Sequence, residues 1–320
     1  MTKTRRLMAG PREIGETFGS ATAFGTFGEL LQGALPDGTD FLVTMPIARW
    51  STARFLLEPS VSDVHVRPAH KTKSRRLVEA MLGRYGVCGG GFLLLDSDLP
   101  EGKGLASSSA DLVATARAVG EAIGIVLDPP EIEELLRGIE PSDGVMHDGV
   151  VAFHHREVRV RSHLGHLPPV TVVGVDEGGE VETVGFNKQP KVFTAAQRRT
   201  YAVLLRSLAQ AVLTGDIAAA GEIATRSALM NQRLCPKRTL TEMIEICRAV
   251  DGLGVIAAHS GTALGVLLAD DHPGHQDRLD RTVQACERLT GTVWIDHSLP
   301  EPGAHSSLPH RHDLRYSTTA

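Results

Sequence analysis

The stretch Leu99-Pro100-Glu101-Gly102-Lys103-Gly104-Leu105-Ala106-Ser107-Ser108-Ser109-Ala110-Asp111 decides how this chain is read. It leads from a predicted strand, Gly91–Leu95, into a predicted helix over Ser107–Gly124, where Leu112, Ala116, Val119 and Ile123 share one face. Glycines at 102 and 104 let the backbone approach a ligand closely. A helix start offers unpaired N–H groups and the positive end of the helix dipole. The serine run adds hydroxyls suited to a phosphate oxygen, a magnesium ion or the cap of the helix. A Gly/Ser-rich turn before an ordinary capped helix has the same composition. Two commoner phosphate loops are excluded. GxxxxGK[ST] fails because Ser97 stands at its first glycine and Gly104 follows Lys103. GxGxxG fails because Ser107 follows at the third glycine and no βαβ unit surrounds the segment.

As an ordered string, the segment resembles the second motif of the GHMP kinases, PxxxGLxSSxA, through Pro100, Gly104, Leu105, Ser107, Ser108 and Ala110. A first motif resembles Ala23-Phe24-Gly25-Thr26-Phe27-Gly28-Glu29-Leu30-Leu31-Gln32-Gly33, and a third His259-Ser260-Gly261-Thr262-Ala263-Leu264-Gly265. The resemblance implies an α+β, two-domain GHMP kinase fold, with a ribosomal protein S5 domain 2-like N-terminal domain and a ferredoxin-like C-terminal domain. It implies ATP and Mg2+ as cofactors, with Pro100, Gly102, Lys103, Gly104, Leu105, Ala106, Ser107, Ser108 and Ser109 around the nucleotide. Ser108 then meets the metal, and Glu29, Gly261 and Thr262 face the substrate. The chain departs from the family pattern at Ala23, where many members carry lysine, at Leu30, where histidine is usual, and at Ala263-Leu264 in the third motif.

The string Gly28–Gly33 is similar to the L-threonine kinase branch, whose members serve the aminopropanol arm of cobalamin synthesis. Ile139-Glu140-Pro141-Ser142-Asp143 and Glu182-Thr183-Val184-Gly185-Phe186-Asn187 resemble two further signatures of that branch. On this resemblance Asp143 is the general base or orienting carboxylate for the acceptor hydroxyl, although Pro-Ser-Asp-Gly is also a standard turn composition. Glu140 is a second catalytic candidate. Either Glu140 or Glu134 supplies the magnesium carboxylate, and the run Glu131, Glu133, Glu134 also suits the solvated start of a helix after Pro129-Pro130. An amino-acid acceptor needs groups for its carboxylate and ammonium, for which Arg49, Arg226, Asn231 and Arg233 are candidates. The expected reaction phosphorylates the side-chain hydroxyl of a small hydroxy-amino acid, L-threonine first. Homoserine or another small hydroxylated metabolite is the alternative, as is a GHMP-fold regulator that binds without catalysis.

The remaining sequence fits that reading. With 320 residues the chain is long enough for two domains, and 42% hydrophobic with 22% charged residues is an ordinary globular composition. A net charge of −5 argues against nucleic acid or an anionic membrane as partner. The basic start, Met1–Leu7, leads into no apolar run, and no stretch has the length of a bilayer span, so a cytoplasmic protein is expected. Oligomeric state is open, a homodimer included. The four scattered cysteines, Cys88, Cys235, Cys247 and Cys286, form no CxxC pair and read as small hydrophobes rather than zinc ligands. Residues 1–18 read as a loose arm, 19–175 as the N-terminal domain, 176–298 as the C-terminal domain, and 299–320, rich in His, Ser and Pro, as a disordered tail. Ser60–Ser74 reads as an exposed excursion. Strands are also expected at Phe41–Thr44, Val170–Val175, Gly254–Ala258, Leu264–Ala269 and Thr292–Ile295. Helices are expected at Ala195–Leu213, Ile217–Met230, Thr239–Val250 and Gln276–Leu289.

Overall fold

The computed structural model describes residues 15–179, 192–299 and 301. Two long strands, β1 (Thr17–Ala34) and β2 (Asp40–Glu58), form an antiparallel hairpin. Its turn is closed by the Asp37 carboxylate accepting the Thr39 N–H at 2.9 Å. Phe41–Thr44 is thus only the start of β2, and β1 begins at Thr17, inside the expected arm. Neither length is legible from alternation. Register shifts at Phe24/Gly25, Thr26/Glu29 and Glu29/Leu31 break the two-residue period of β1, and its last twelve residues are all buried.

Beyond β2 come β4 (Gly90–Ser97) and, parallel to it, β3 (Val64–Arg67). The Ser60–Ser74 stretch therefore contains a strand and runs into helix α1 (Thr72–Tyr85). Lys71, Lys73, Arg75 and Arg76 mask the apolar face of Leu77, Val78, Met81 and Leu82 that α1 buries. Helix α2 (Ser107–Ala122) packs on β1 and β2 with thirteen of its residues buried, so it is a core helix rather than a one-faced one. Helix α3 (Pro129–Arg137) starts in a capping box between Asp128 and Glu131. The hairpin β5 (Val150–His154) and β6 (Arg159–Gly165), absent from the sequence expectations, pairs with β2 through β5.

The C-terminal part matches the expected elements to within a few residues. Strand β7 (Val170–Asp176) is followed by α4 (Ala195–Thr214), α5 (Ile217–Asn231) and α6 (Leu240–Ala249). Then come β8 (Gly254–Ala257), β9 (Ala263–Ala269), α7 (His275–Thr290) and β10 (Val293–His297). Strand β7, read from sequence as the end of the N-terminal part, lies between β9 and β10. The main path is β10-β7-β9-β8-β1-β2-β4-β3, and the Glu29–Ala257 pair joins its two halves. Phe27, fully buried, seals that junction. A Cβ at Gly174 or at its register partner Gly265 would lie 2.6 or 2.8 Å from its ring, so only glycines fit there. A second core cluster includes Val173, Val266, Met243, Cys247 and Cys286. Burial raises both of these thiols to about 11, which keeps them protonated and inert. All four cysteines are free.

Candidate active site

The loop between β4 and α2 is built from left-handed residues. Gly102 (φ 72°), Gly104 (φ 85°) and Ala106 (φ 58°) turn the chain so that α2 starts with no side chain capping it. An alanine in that region is strained by about 1–2 kcal/mol, which the surrounding packing must offset. Three adjacent serines take three directions instead of the expected capping role. Ser107 Oγ donates to Leu99 O at 3.3 Å, Ser108 Oγ bonds the Glu140 carboxylate, and Ser109 Oγ donates to Asp143 Oδ2 at 3.1 Å. Ser109 Oγ also accepts the Asp143 N–H at 3.0 Å, so the pairing is reciprocal.

These groups line one cleft of about 460 Å³. It gathers Pro100, Gly102, Gly104 and the run Leu105 to Ser109 with Glu140, Asp143, Glu29 and Ser260, joining all three motifs. Lys103, Gly261 and Thr262 support the loop from behind. Lys103 Nζ reaches Asp176 at 2.8 Å and Gly179 O at 2.6 Å, away from the cleft. The Thr262 N–H donates to Lys103 O at 3.2 Å, and its hydroxyl donates to Asp176. Lys103 as a nucleotide contact and Gly261 and Thr262 as substrate contacts are thus placed in a scaffold instead.

Glu134 is placed elsewhere as well. Its side chain is 55% exposed and holds Arg84 through two bonds of 3.1 Å, because α3 turns that face outward. Arg49 is bound to Asp296, Arg226 is exposed, Arg233 donates to Val192 O, and Asn231 donates to His259 O at 3.3 Å. None of these four lines the cleft. The Glu182–Asn187 stretch lies outside the described residues.

The sequence reading missed the cationic wall contributed by the start of α1. Lys73 Nζ meets Glu140 Oε2 at 2.6 Å, so Glu140 bridges Ser108 and Lys73. Lys71 contacts Asp111 and, at 2.6 Å, Glu101, which also accepts from His70 Nε2 at 2.9 Å. Burial pulls the Lys71 ammonium down, but the hydrogen bonds and charges of Asp111 and Glu101 outweigh it and hold it above its usual range. Asp111 is buried and accepts Ser51 Oγ–H at 2.5 Å. The one sequence signal was the Lys71-Thr72-Lys73 doublet directly before an amphipathic helix.

Across the cleft the balance is anionic. Glu29 is buried, with Oε2 accepting the His259 N–H at 2.8 Å. Desolvation pushes Asp143 up to about 7, with the charge of Glu29 and then that of Glu140 adding to it against the Ser109 hydrogen bond. A carboxylate so tuned is poised to take a proton near neutrality.

Fold and cleft together set an uncapped helix start, turned by left-handed residues, against a carboxylate raised to about 7. Family models match the chain: the N-terminal domain of the GHMP kinases over residues 73–155 and their C-terminal domain over residues 208–288. The chain belongs to the GHMP kinase family. It is 29% identical over 246 residues to an L-threonine kinase of Salmonella typhimurium, covering 75% of this chain and 80% of the relative. An L-threonine kinase of Citrobacter freundii is 26% identical over 246 residues, covering 75% and 83%. Among solved structures, homoserine kinase from Cytophaga hutchinsonii superposes with a TM-score of 0.65 over 88% of this chain and 94% of that one. At 14% identity that likeness shows the fold alone.

Proposed function

We propose that this chain transfers the γ-phosphate of ATP to the side-chain hydroxyl of a small hydroxy-amino acid, with L-threonine giving O-phospho-L-threonine. The observation that carries the reading is the convergence of an uncapped helix start, Lys73, the Ser108–Glu140 pair and Asp143 on one cleft. The resemblance to two L-threonine kinases over three quarters of the chain supports the choice of acceptor.

The cleft fits a magnesium nucleotide on its own chemistry. An uncapped helix start and a lysine suit phosphate oxygens, and a serine hydroxyl beside a carboxylate suits a hard cation. Among the described residues no three His, Cys, Asp or Glu side chains form a cage. A magnesium ion here would rest on few protein ligands plus phosphate oxygens and water, as that ion prefers. When bound, the magnesium nucleotide supplies the phosphoryl group and spreads its charge. The first turn of α2 and Lys73 would hold phosphate oxygens, and Ser108 and Glu140 would hold the metal. Asp143 orients the acceptor hydroxyl and takes its proton, with Ser109 fixing the carboxylate. Glu29 offers a negative charge to the acceptor's ammonium group.

An assay coupled to ADP release, run with threonine, serine and homoserine, tests the reading. Threonine should be best and serine poorer but measurable, because one methyl group is worth only about 1–3 kcal/mol. Robust turnover of homoserine without threonine would remove the acceptor assignment. No acceptor-dependent ADP would remove the kinase reading. Ser108→Ala should lower magnesium-dependent turnover by roughly tenfold or more. A change within about twofold would leave Ser108 no part in the chemistry.

A further inference from the structure

Glu29 is held in place by a buried chain of hydrogen bonds that crosses from α5 to β1. His259 lies just after β8, at 1% exposure, and Ser227 on α5 is fully buried. His259 Nδ1 is 3.1 Å from Glu29 Oε2 and 3.0 Å from Ala257 O, two acceptors that require a proton on Nδ1. His259 Nε2 is 2.8 Å from Ser227 Oγ. That hydroxyl oxygen also accepts the Gln32 N–H at 3.2 Å, which ties β1 to the same point. The two acceptors at Nδ1 fix which ring nitrogen faces Glu29 as a donor, and Ser227 holds the ring from its other side. The backbone is fixed at the same point, since the His259 N–H also donates to Glu29 Oε2 at 2.8 Å and Asn231 donates to His259 O. Both His259 bonds fall on one carboxylate oxygen, Oε2. A Ser-His-Glu order is familiar from hydrolases, but Ser227 is fully buried and does not line the cleft, so it is no nucleophile.

We infer that His259, held by Ser227, is the positioning residue that anchors Oε2 of Glu29 and so aims its carboxylate at the ammonium group of the amino-acid acceptor. This rests on the kinase reading above and names a determinant of its acceptor specificity. An ammonium ion is recognised well by a desolvated carboxylate only if the carboxylate is already oriented, because rotation on binding costs affinity. Two donors on Oε2 provide that orientation. They also hold Glu29 in the cleft that the Gly104–Ser109 loop lines, a cleft His259 itself does not line. The relay therefore acts on the acceptor side of the cleft and not on the nucleotide side.

The test is a set of steady-state constants for wild type, His259→Leu, His259→Asn and Ser227→Ala, each with melting temperature. His259→Leu removes the side-chain donor to Glu29, leaving only the backbone N–H, and should raise the acceptor KM, or lower acceptor kcat/KM, about tenfold or more. The ATP KM should stay within about twofold. His259→Asn can place an amide N–H near the Nδ1 position and should recover most of the loss. Ser227→Ala, remote from the loop, should give a smaller shift of the same kind, and it keeps the test open should His259→Leu fail to fold. Equal rises in both KM values, or unchanged constants in the folded variants, would overturn the inference. The wild-type control separates the two readings. Wild-type turnover with no acceptor-side change in the variants removes only the relay, whereas an inert wild type removes the kinase function and the relay with it.

Discussion

Asp143→Asn is expected to lower kcat by about 10²–10⁴-fold while ATP still binds. Asparagine keeps the size and can still accept from Ser109 Oγ, which now donates to Asp143 Oδ2 at 3.1 Å, so the loop should not move. What is lost is the proton acceptor. A loose phosphoryl-transfer transition state asks less of a base, which sets the lower end of that range. The same variant carries a stability signature of opposite sign. Asp143 titrates near 7 in the folded chain, above the usual carboxylate value of 3.8. Between those two values the folded state holds a proton that the unfolded state has released, so this group's contribution to stability falls as pH rises through the window. Without ligands, Asp143→Asn should therefore melt above wild type at pH 8 and lose that advantage toward pH 4. A variant that loses both stability and ATP binding would make Asp143 a structural residue. An unchanged kcat would return it to an ordinary turn.

Gly261→Ala should damage the cradle without touching a reactive group. A Cβ there would lie 2.1 Å from Lys103 O and 2.5 Å from Gly104 N. Both are backbone atoms that cannot rotate away, so the turn must shift and push the loop that starts α2. The expected cost is about 1–3 kcal/mol of stability, several degrees in melting temperature. A rise of at least about tenfold in ATP KM should accompany it, because a cradle of backbone N–H groups tolerates little displacement. Gly83→Ala is the matched control. Nothing lies within 4 Å of its Cβ, and helix α1 should gain slightly if anything. Equal behaviour of the two alanine variants would mean that the third-motif turn does not shape the nucleotide site.

The second motif was readable because its chemistry is local. The glycines, the serines and the start of α2 follow one another in the chain, and the loop they build needs no distant partner to be recognised. The C-terminal elements were readable for a similar reason: α4 to α7 carry regular apolar spacing, and side chains cap the first two, the Thr194–Gln197 box before α4 and Asp216 before α5. What the sequence hid depends on contacts across the fold. β1 runs buried through its last twelve residues under helices distant in sequence, so no alternation marks it. Lys71 and Lys73 read as surface charge, because only packing of α1 beside α2 brings them to Asp111 and Glu140. The choice between Glu140 and Glu134 could not be made from spacing. The first lies within reach of Ser108 after α3 has ended, and the second points outward on α3. His259 opens the third-motif match, but nothing in the sequence pairs it with Ser227, 32 positions away.

The most direct test incubates the purified chain with magnesium, ATP and L-threonine, and follows the products by mass spectrometry and ADP release. Wild type should form O-phospho-L-threonine and ADP in equal amounts, and Asp143→Asn should form neither at a comparable rate while still binding ATP. Stoichiometric ADP without phosphothreonine, or equal turnover by Asp143→Asn, would contradict the account.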